Sequence, residues 1–235
     1  MVSGYQPDRL LVTNISDSPQ ELKVYQTDYF FISDGNVYYE EVGYVERTNG
    51  NWIEFFPKRL TVPARSSAQV NYTVDIPENS SLTGTYWSIL MVEVIPEGSA
   101  ESSSTDESSE ELAVGIQQIF RYGIQMVTNI KNTGAGTPDI IGAQLVKEVD
   151  NKALILDVMN IGDRWLRPSV WADLYDGEGS FVGKYEAGAL RMYPGTSARF
   201  TIDLREVPVG VYKALVVLDA DDQGVFGANY TLRLE

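Results

Sequence analysis

Thirty-three carboxylates with no imidazole and no thiol limit the chemistry open to this 235-residue chain. Lack of histidine removes the commonest general base, proton shuttle and zinc ligand. Lack of cysteine removes thiolate chemistry and disulfides. The serines stand in no Gly-x-Ser-x-Gly elbow and no Ser-x-x-Lys pattern, and no glycine-rich phosphate loop leads into a helix. Asp219-Ala-Asp-Asp-Gln-Gly224 follows the first six positions of a calcium loop, but its twelfth position is Tyr230 where the ion needs a bidentate glutamate. It reads as a hairpin turn, and so does the turn around Asp173, Asp176 and Glu178. Nothing in the spacing places two acids in one cleft as a glycosidase pair. The chain is therefore expected to be no enzyme and to carry no cofactor and no metal.

Binding chemistry is the alternative. A net charge of −15 offers no basic footprint for nucleic acid and disfavours anionic membrane surfaces. No run approaches the roughly 20 apolar residues of a membrane-spanning helix. The first residues form no signal-peptide hydrophobic region, so an export signal is not present in this chain. Trp52, Trp87, Trp165, Trp171 and fourteen tyrosines would suit a sugar-stacking platform, or else core and cross-strand packing.

The most regular pattern lies at residues 113–127. Its even positions are Val114, Ile116, Gln118, Phe120, Tyr122, Ile124 and Met126; its odd positions from 115 to 125 are Gly, Gln, Ile, Arg, Gly and Gln. Alternation of this kind is a strand with one face buried, either in its own domain or in a partner.

The elements around it are strands as well. In the first half they are expected at 9–14, 21–32, 37–45, 52–56, 69–74 and 85–95, with a hairpin-like turn at Thr48-Asn-Gly-Asn51. In the second half they fall at 140–149, 153–160, 169–175, 181–187, 197–204, 212–219 and 227–234, spaced by turns at about 8–12 residues as in a sandwich. Residues 97–111 differ: six acids and six serines make a solvated loop.

The plan occurs twice. Pro63-Ala-Arg-Ser-Ser, Ile76-Pro77 and Gly84-Thr-Tyr86 return as Pro194-Gly-Thr-Ser, Val207-Pro208 and Gly210-Val-Tyr212, with Asn14-Ile-Ser-Asp17 and Asn160-Ile-Gly-Asp163 upstream. The fold expected is all-β, two tandem immunoglobulin-like β-sandwich domains. The first is residues 1–130 with the acidic Ser-rich loop 97–111, then a Gly/Asn/Thr/Pro linker at 131–138, then a second sandwich at 139–235.

Trp52-Ile-x3-Pro57, Leu60-x2-Pro63, Ile76-Pro77, Tyr86-Trp87 and Ile95-Pro96, in that order, resemble the N-terminal domain of PapD-like periplasmic pilus chaperones. The resemblance covers residues 10–130; the second domain is similar to immunoglobulin-like modules in general pattern. It implies a non-enzymatic periplasmic or extracellular protein whose long last strand binds a pilin-like subunit or other surface protein by β-strand addition. Ile116, Gln118, Phe120, Tyr122, Ile124 and Met126 would then be the partner-binding set. The family grips the subunit's terminal carboxylate with an arginine from a strand missing here and a lysine on the last strand. Only eight residues precede Arg9 and 113–127 holds no lysine, so Arg9 and Arg121 are the carboxylate-anchor candidates. A carbohydrate- or cell-wall-binding surface module remains the alternative.

Overall fold

A computed structural model describes residues 8–78, 81–97, 99, 101–102, 119–148 and 151–235. Among these residues the chain is built of β-strands, and its only helical pieces are two three-residue 3-10 turns, Gly50–Trp52 and Asp221–Gln223. It divides into two compact units. One gathers the described residues of Met1–Tyr29, Tyr39–Ser80 and Trp87–Val127, the other those of Phe30–Tyr38, Ser81–Tyr86 and Thr128–Glu235. Each is an immunoglobulin-like sandwich.

In the first unit, strands β1 (Asp8–Thr13), β4 (Ile53–Phe56) and β6 (Ser67–Val74) form a sheet in the order β1-β6-β4. Facing it is a sheet most of whose residues belong to this unit, β2 (Gln20–Phe31), β3 (Val37–Glu40), β7 (Gly84–Ile95) and β8 (Arg121–Ile130) in the order β3-β2-β7-β8, whose residues 30–31, 37–38, 84–86 and 128–130 are grouped with the other unit; β5 (Arg59–Val62) also pairs with β2. Alternating side chains from the two sheets meet in a core of Leu22, Val24, Ile53, Val62, Val70, Leu90, Val92 and Met126. β7 is buried along almost its whole length, which is why its sequence is nearly continuous in apolar residues.

Several details differ from the sequence expectations, among them the strand expected at 113–127, which among the described residues runs Arg121–Ile130 as β8. β3 stops at Glu40, and β3 and β4 belong to different sheets, so Thr48-Asn-Gly-Asn51 is no hairpin. The reason is Asp28, a fully buried carboxylate. It accepts the backbone N–H groups of Gly43 and Val45, each at 2.9 Å, and the Thr48 hydroxyl. Folding 41–48 around that charge satisfies it, as a buried carboxylate requires, and ends the strand. β5 is a further strand, in register with β2 from Gln20↔Val62 to Lys23↔Arg59.

The second unit holds two sheets, β13-β10-β9 and β12-β11-β14-β15. Their strands are β9 (Pro138–Glu148), β10 (Asn151–Asn160), β11 (Ser169–Tyr175), β12 (Phe181–Ala189), β13 (Ser197–Asp203), β14 (Gly210–Asp219) and β15 (Val225–Leu234). All seven expected strands are present within a few residues of their ends. The Tyr212 hydroxyl donates to the Pro208 carbonyl at 3.0 Å, tying the start of β14 to the turn before it.

The repeat is visible in the hydrogen bonds. Asn14 Nδ2 donates to the carbonyls of Ser18, Val62 and Pro63, and its Oδ1 accepts from the Ser16 N–H. Asn160 Nδ2 donates to Arg164 and Met192, and its Oδ1 accepts from the N–H groups of Gly162 and Thr137. The two backbone N–H groups bond alike, Asn14 to Ser66 and Asn160 to Thr196. In each unit one buried carboxamide therefore fastens the end of a strand to the Pro-led turn opposite. Replacing Asn160 with alanine removes the partner of two part-buried N–H groups, Gly162 and Thr137, and of the Arg164 carbonyl, while the Met192 carbonyl keeps the Leu166 N–H. It is expected to destabilise the protein by about 2–4 kcal/mol, read as a lower urea midpoint at unchanged slope.

Candidate functional site

Strand β8 is the last strand of its sheet, and among the described residues no strand lies beyond it. Its three aspects do different things. The even side turns inward along its length: Met126 is 7% exposed and sits in the core, and Ile124 packs against that core half-buried. Towards the start the same side emerges, with Tyr122 63% exposed and Phe120 just ahead of the strand 53% exposed. The Asn49 amide donates to the Met126 carbonyl at 3.0 Å and fixes that end of the strand. Of the residues singled out in the sequence, Ile116 and Gln118 lie outside the described residues, as do Val114 and most of the acidic loop 97–111.

The odd side carries charge. Register pairs Lys23 with Glu93 and Tyr25 with Met91 on the outward face of the sheet. Glu93 is nearly buried, yet three groups meet its carboxylate: the Tyr25 hydroxyl at 2.7 Å, the Lys23 ammonium at 3.2 Å and the Arg121 guanidinium at 2.7 Å. Burial pushes the Glu93 carboxyl upward. Hydrogen bonds from Tyr25 and Lys23, with the charges of Lys23 and Arg121, outweigh burial and hold it below its ordinary value. Lys23 also bonds Glu101 at 2.7 Å, and Arg59 donates to the Glu101 carbonyl, so the start of the acidic loop is tied to this face. Burial comes first among the causes that raise the Tyr25 phenol, followed by its bond to Glu93.

Arg9 and Arg121 are not brought together. Arg9 lies exposed on β1 in the facing sheet, whereas Arg121 lies on β8 with its guanidinium already on Glu93. Glu93 was legible in principle. It is the one charge in a twelve-residue apolar strand, and such a charge needs partners.

The other constellations are turns and packing. Asp219 and Gly224 flank the β14–β15 connection, where Asp219 Oδ1 accepts the Asp221 N–H. Asp176 caps the β11–β12 turn through the N–H groups of Glu178 and Ser180. No group of three or more Asp or Glu is arranged for a metal ion among the described residues. Trp87 is buried with its indole N–H on the Tyr29 carbonyl, Arg191 lies over the Trp165 ring at 4.8 Å, and Lys184 over Trp171 at 4.2 Å. Trp52 is half-buried. The tryptophans form no exposed platform.

No protein-family model matches the chain, and no curated protein matches it. Solved structures do. A chain of the chaperone–tip adhesin complex of CFA/I fimbriae biogenesis is similar over 99% of this chain and 93% of its own, with a TM-score of 0.50 and 13% identity. The class 5 fimbriae chaperone CfaA is similar over 98% and 92%, at a TM-score of 0.44 and 13% identity. A chain of the CsuC–CsuE chaperone–tip adhesion subunit pre-assembly complex of Acinetobacter baumannii is similar over 96% and 90%, at 0.44 and 14%. At such identities the likeness is one of fold, and the chaperone-like order of motifs in the first half belongs to a chain with that fold throughout.

Two outcomes test the geometry. Met126→Ala should cost about 2–5 kcal/mol as a core cavity, while Tyr122→Ser should change stability by less than about 0.5 kcal/mol, both from urea unfolding. Since the Glu93 carboxyl is lowered in the folded state, its contribution is present above the ordinary value of 4.5 and is lost as pH falls below it. Glu93→Gln should therefore be less stable than wild type at pH 7, with the gap closing towards pH 3.

Proposed function

We propose that this chain is a non-enzymatic, extracytoplasmic protein-interaction module that holds its partner by β-strand addition along β8, in the manner of a fimbrial assembly chaperone. The observation that carries this reading is β8 itself. It is a terminal strand whose inward-turning side emerges at Tyr122 and Phe120 as exposed apolar surface. Backbone groups along its outer edge supply affinity to an added strand, and the alternating side chains supply selectivity. Likeness of fold to the chaperone–tip adhesin complex over nearly the full chain supports it.

The partner on this reading is a pilin-like subunit or a surface protein, and the compartment is the periplasm or the cell exterior. Phe120, Tyr122 and Ile124 are the described contact residues, with Ile116 and Gln118 continuing the same side in sequence. Met126 anchors the strand from within. Arg9, exposed and without an ion pair among the described residues, is the cation available to a partner's carboxylate. The chaperone-like module is taken as residues 1–130, with 131–138 as linker and 139–235 as the second module. Sugar binding is not favoured, because the tryptophans are buried or covered.

The test is capture from the native extracytoplasmic fraction by wild type beside the double variant Phe120→Ser/Tyr122→Ser. A β-rich subunit held by wild type and lost by the variant, at equal urea midpoints, is the expected result. Equal retention by both proteins would overturn strand addition at β8.

A further inference from the structure

A cavity of about 480 Å³ lies across the outward face of the first unit's larger sheet, and its two ends differ. At one end stand Tyr39 and Glu40 of β3 and the following Glu41, beside Tyr25 and Thr27 of β2. At the other stands Arg121 of β8, three strands and so roughly 14 Å away. Among the described residues Arg121 is the only cation in the lining, and Glu93 holds it at 2.7 Å. Lys23, close by, is shared between Glu93 and Glu101. Glu40 and Glu41 enter no ion pair among the described residues. The charge at the β3 end is therefore negative and unmatched.

The aromatic side chains at that end are held in place. Tyr39 is stacked on Tyr29 with ring centroids 6.5 Å apart, yet stays 54% exposed. Tyr25 is fixed by its hydroxyl on Glu93 at 2.7 Å. Two held rings beside two unmatched carboxylates suit an alkyl-ammonium group: methylenes lie along the rings and the charge meets the carboxylates. An anionic ligand would meet like charge there, and a neutral one would leave the half-buried Glu40 without a counter-ion. We propose that the β3 end of this cavity is a binding site for a primary alkylamine, either a free polyamine or a lysine side chain carried by a protein. The site lies at the opposite edge of the sheet from β8 and does not depend on strand addition there.

Spermidine and the capped pentapeptide acetyl-Gly-Gly-Lys-Gly-Gly-amide, titrated calorimetrically into the full chain at low ionic strength, are the probes. Binding that saturates at one equivalent is expected. Tighter binding of spermidine assigns the site to a free polyamine, and tighter binding of the peptide assigns it to a carried lysine. Glu40→Gln/Glu41→Gln and Tyr39→Ser should each weaken binding about tenfold at unchanged urea midpoints. Glu178→Gln/Glu206→Gln, which removes the same charge from exposed positions of the second unit, should leave binding as before. Equal weakening by the two double variants would reveal general attraction of cations to an acidic chain and overturn the site. So would the failure of both probes to saturate.

Discussion

A carboxamide donates and accepts at once, and each unit of this protein hangs on one. Asn14 and Asn160 are both buried, and each spans from the end of a strand to the Pro-led turn across from it. A carboxylate of the same shape has no donor for the carbonyls, and a leucine has neither function. The turn, once fastened, sets where the next strand starts: β6 follows Pro63 and β13 follows Pro194. The strand pairing of each sandwich then propagates from that point, β1 with β6 and β10 with β13. That the same side chain makes the same kind of bonds in both units is the strongest physical sign that one plan was used twice.

Single charges placed in apolar strands organise the rest of the first unit. Asp28 draws the N–H groups of 43 and 45 around itself and so ends β3 early. Glu93 draws Tyr25 and Lys23 from β2 and Arg121 from β8 onto the outward face. In both cases a charge with little access to water is offset by donors brought from separate segments, and those segments are held where they would not otherwise lie. The same demand settles the fate of Arg121. Its guanidinium, a group suited to gripping a carboxylate, is engaged within the protein on Glu93.

β8 shows how one strand serves three ends. Its inward side turns from core at Met126 to surface at Tyr122, its outward side carries the Arg121 contact to Glu93, and its outer edge has no neighbouring strand among the described residues. Natural sheets usually protect a terminal strand with charge, proline or a covering segment. Here the exposed aromatic residues lie at the strand's beginning, where a partner would meet them first, while the core-anchored end keeps the strand in place.

Much of this was legible in the amino-acid order. Period-two alternation and the spacing of turns determined the all-β class, the strands of the second unit, the duplicated plan and the sidedness of β8, because those depend on local geometry and on which residues avoid water. The β3 limit, the separation of β3 from β4, and the pairing of β5 with β2 were decided only by tertiary structure. So were the core place of Met126 as against the exposure of Tyr122, the match of Arg121 to Glu93, and the distance in the fold between Arg9 and Arg121. Each of these turns on which segment supplies the partner for a buried charge or apolar side chain. Alternation says that a face is covered; only the folded chain says what covers it.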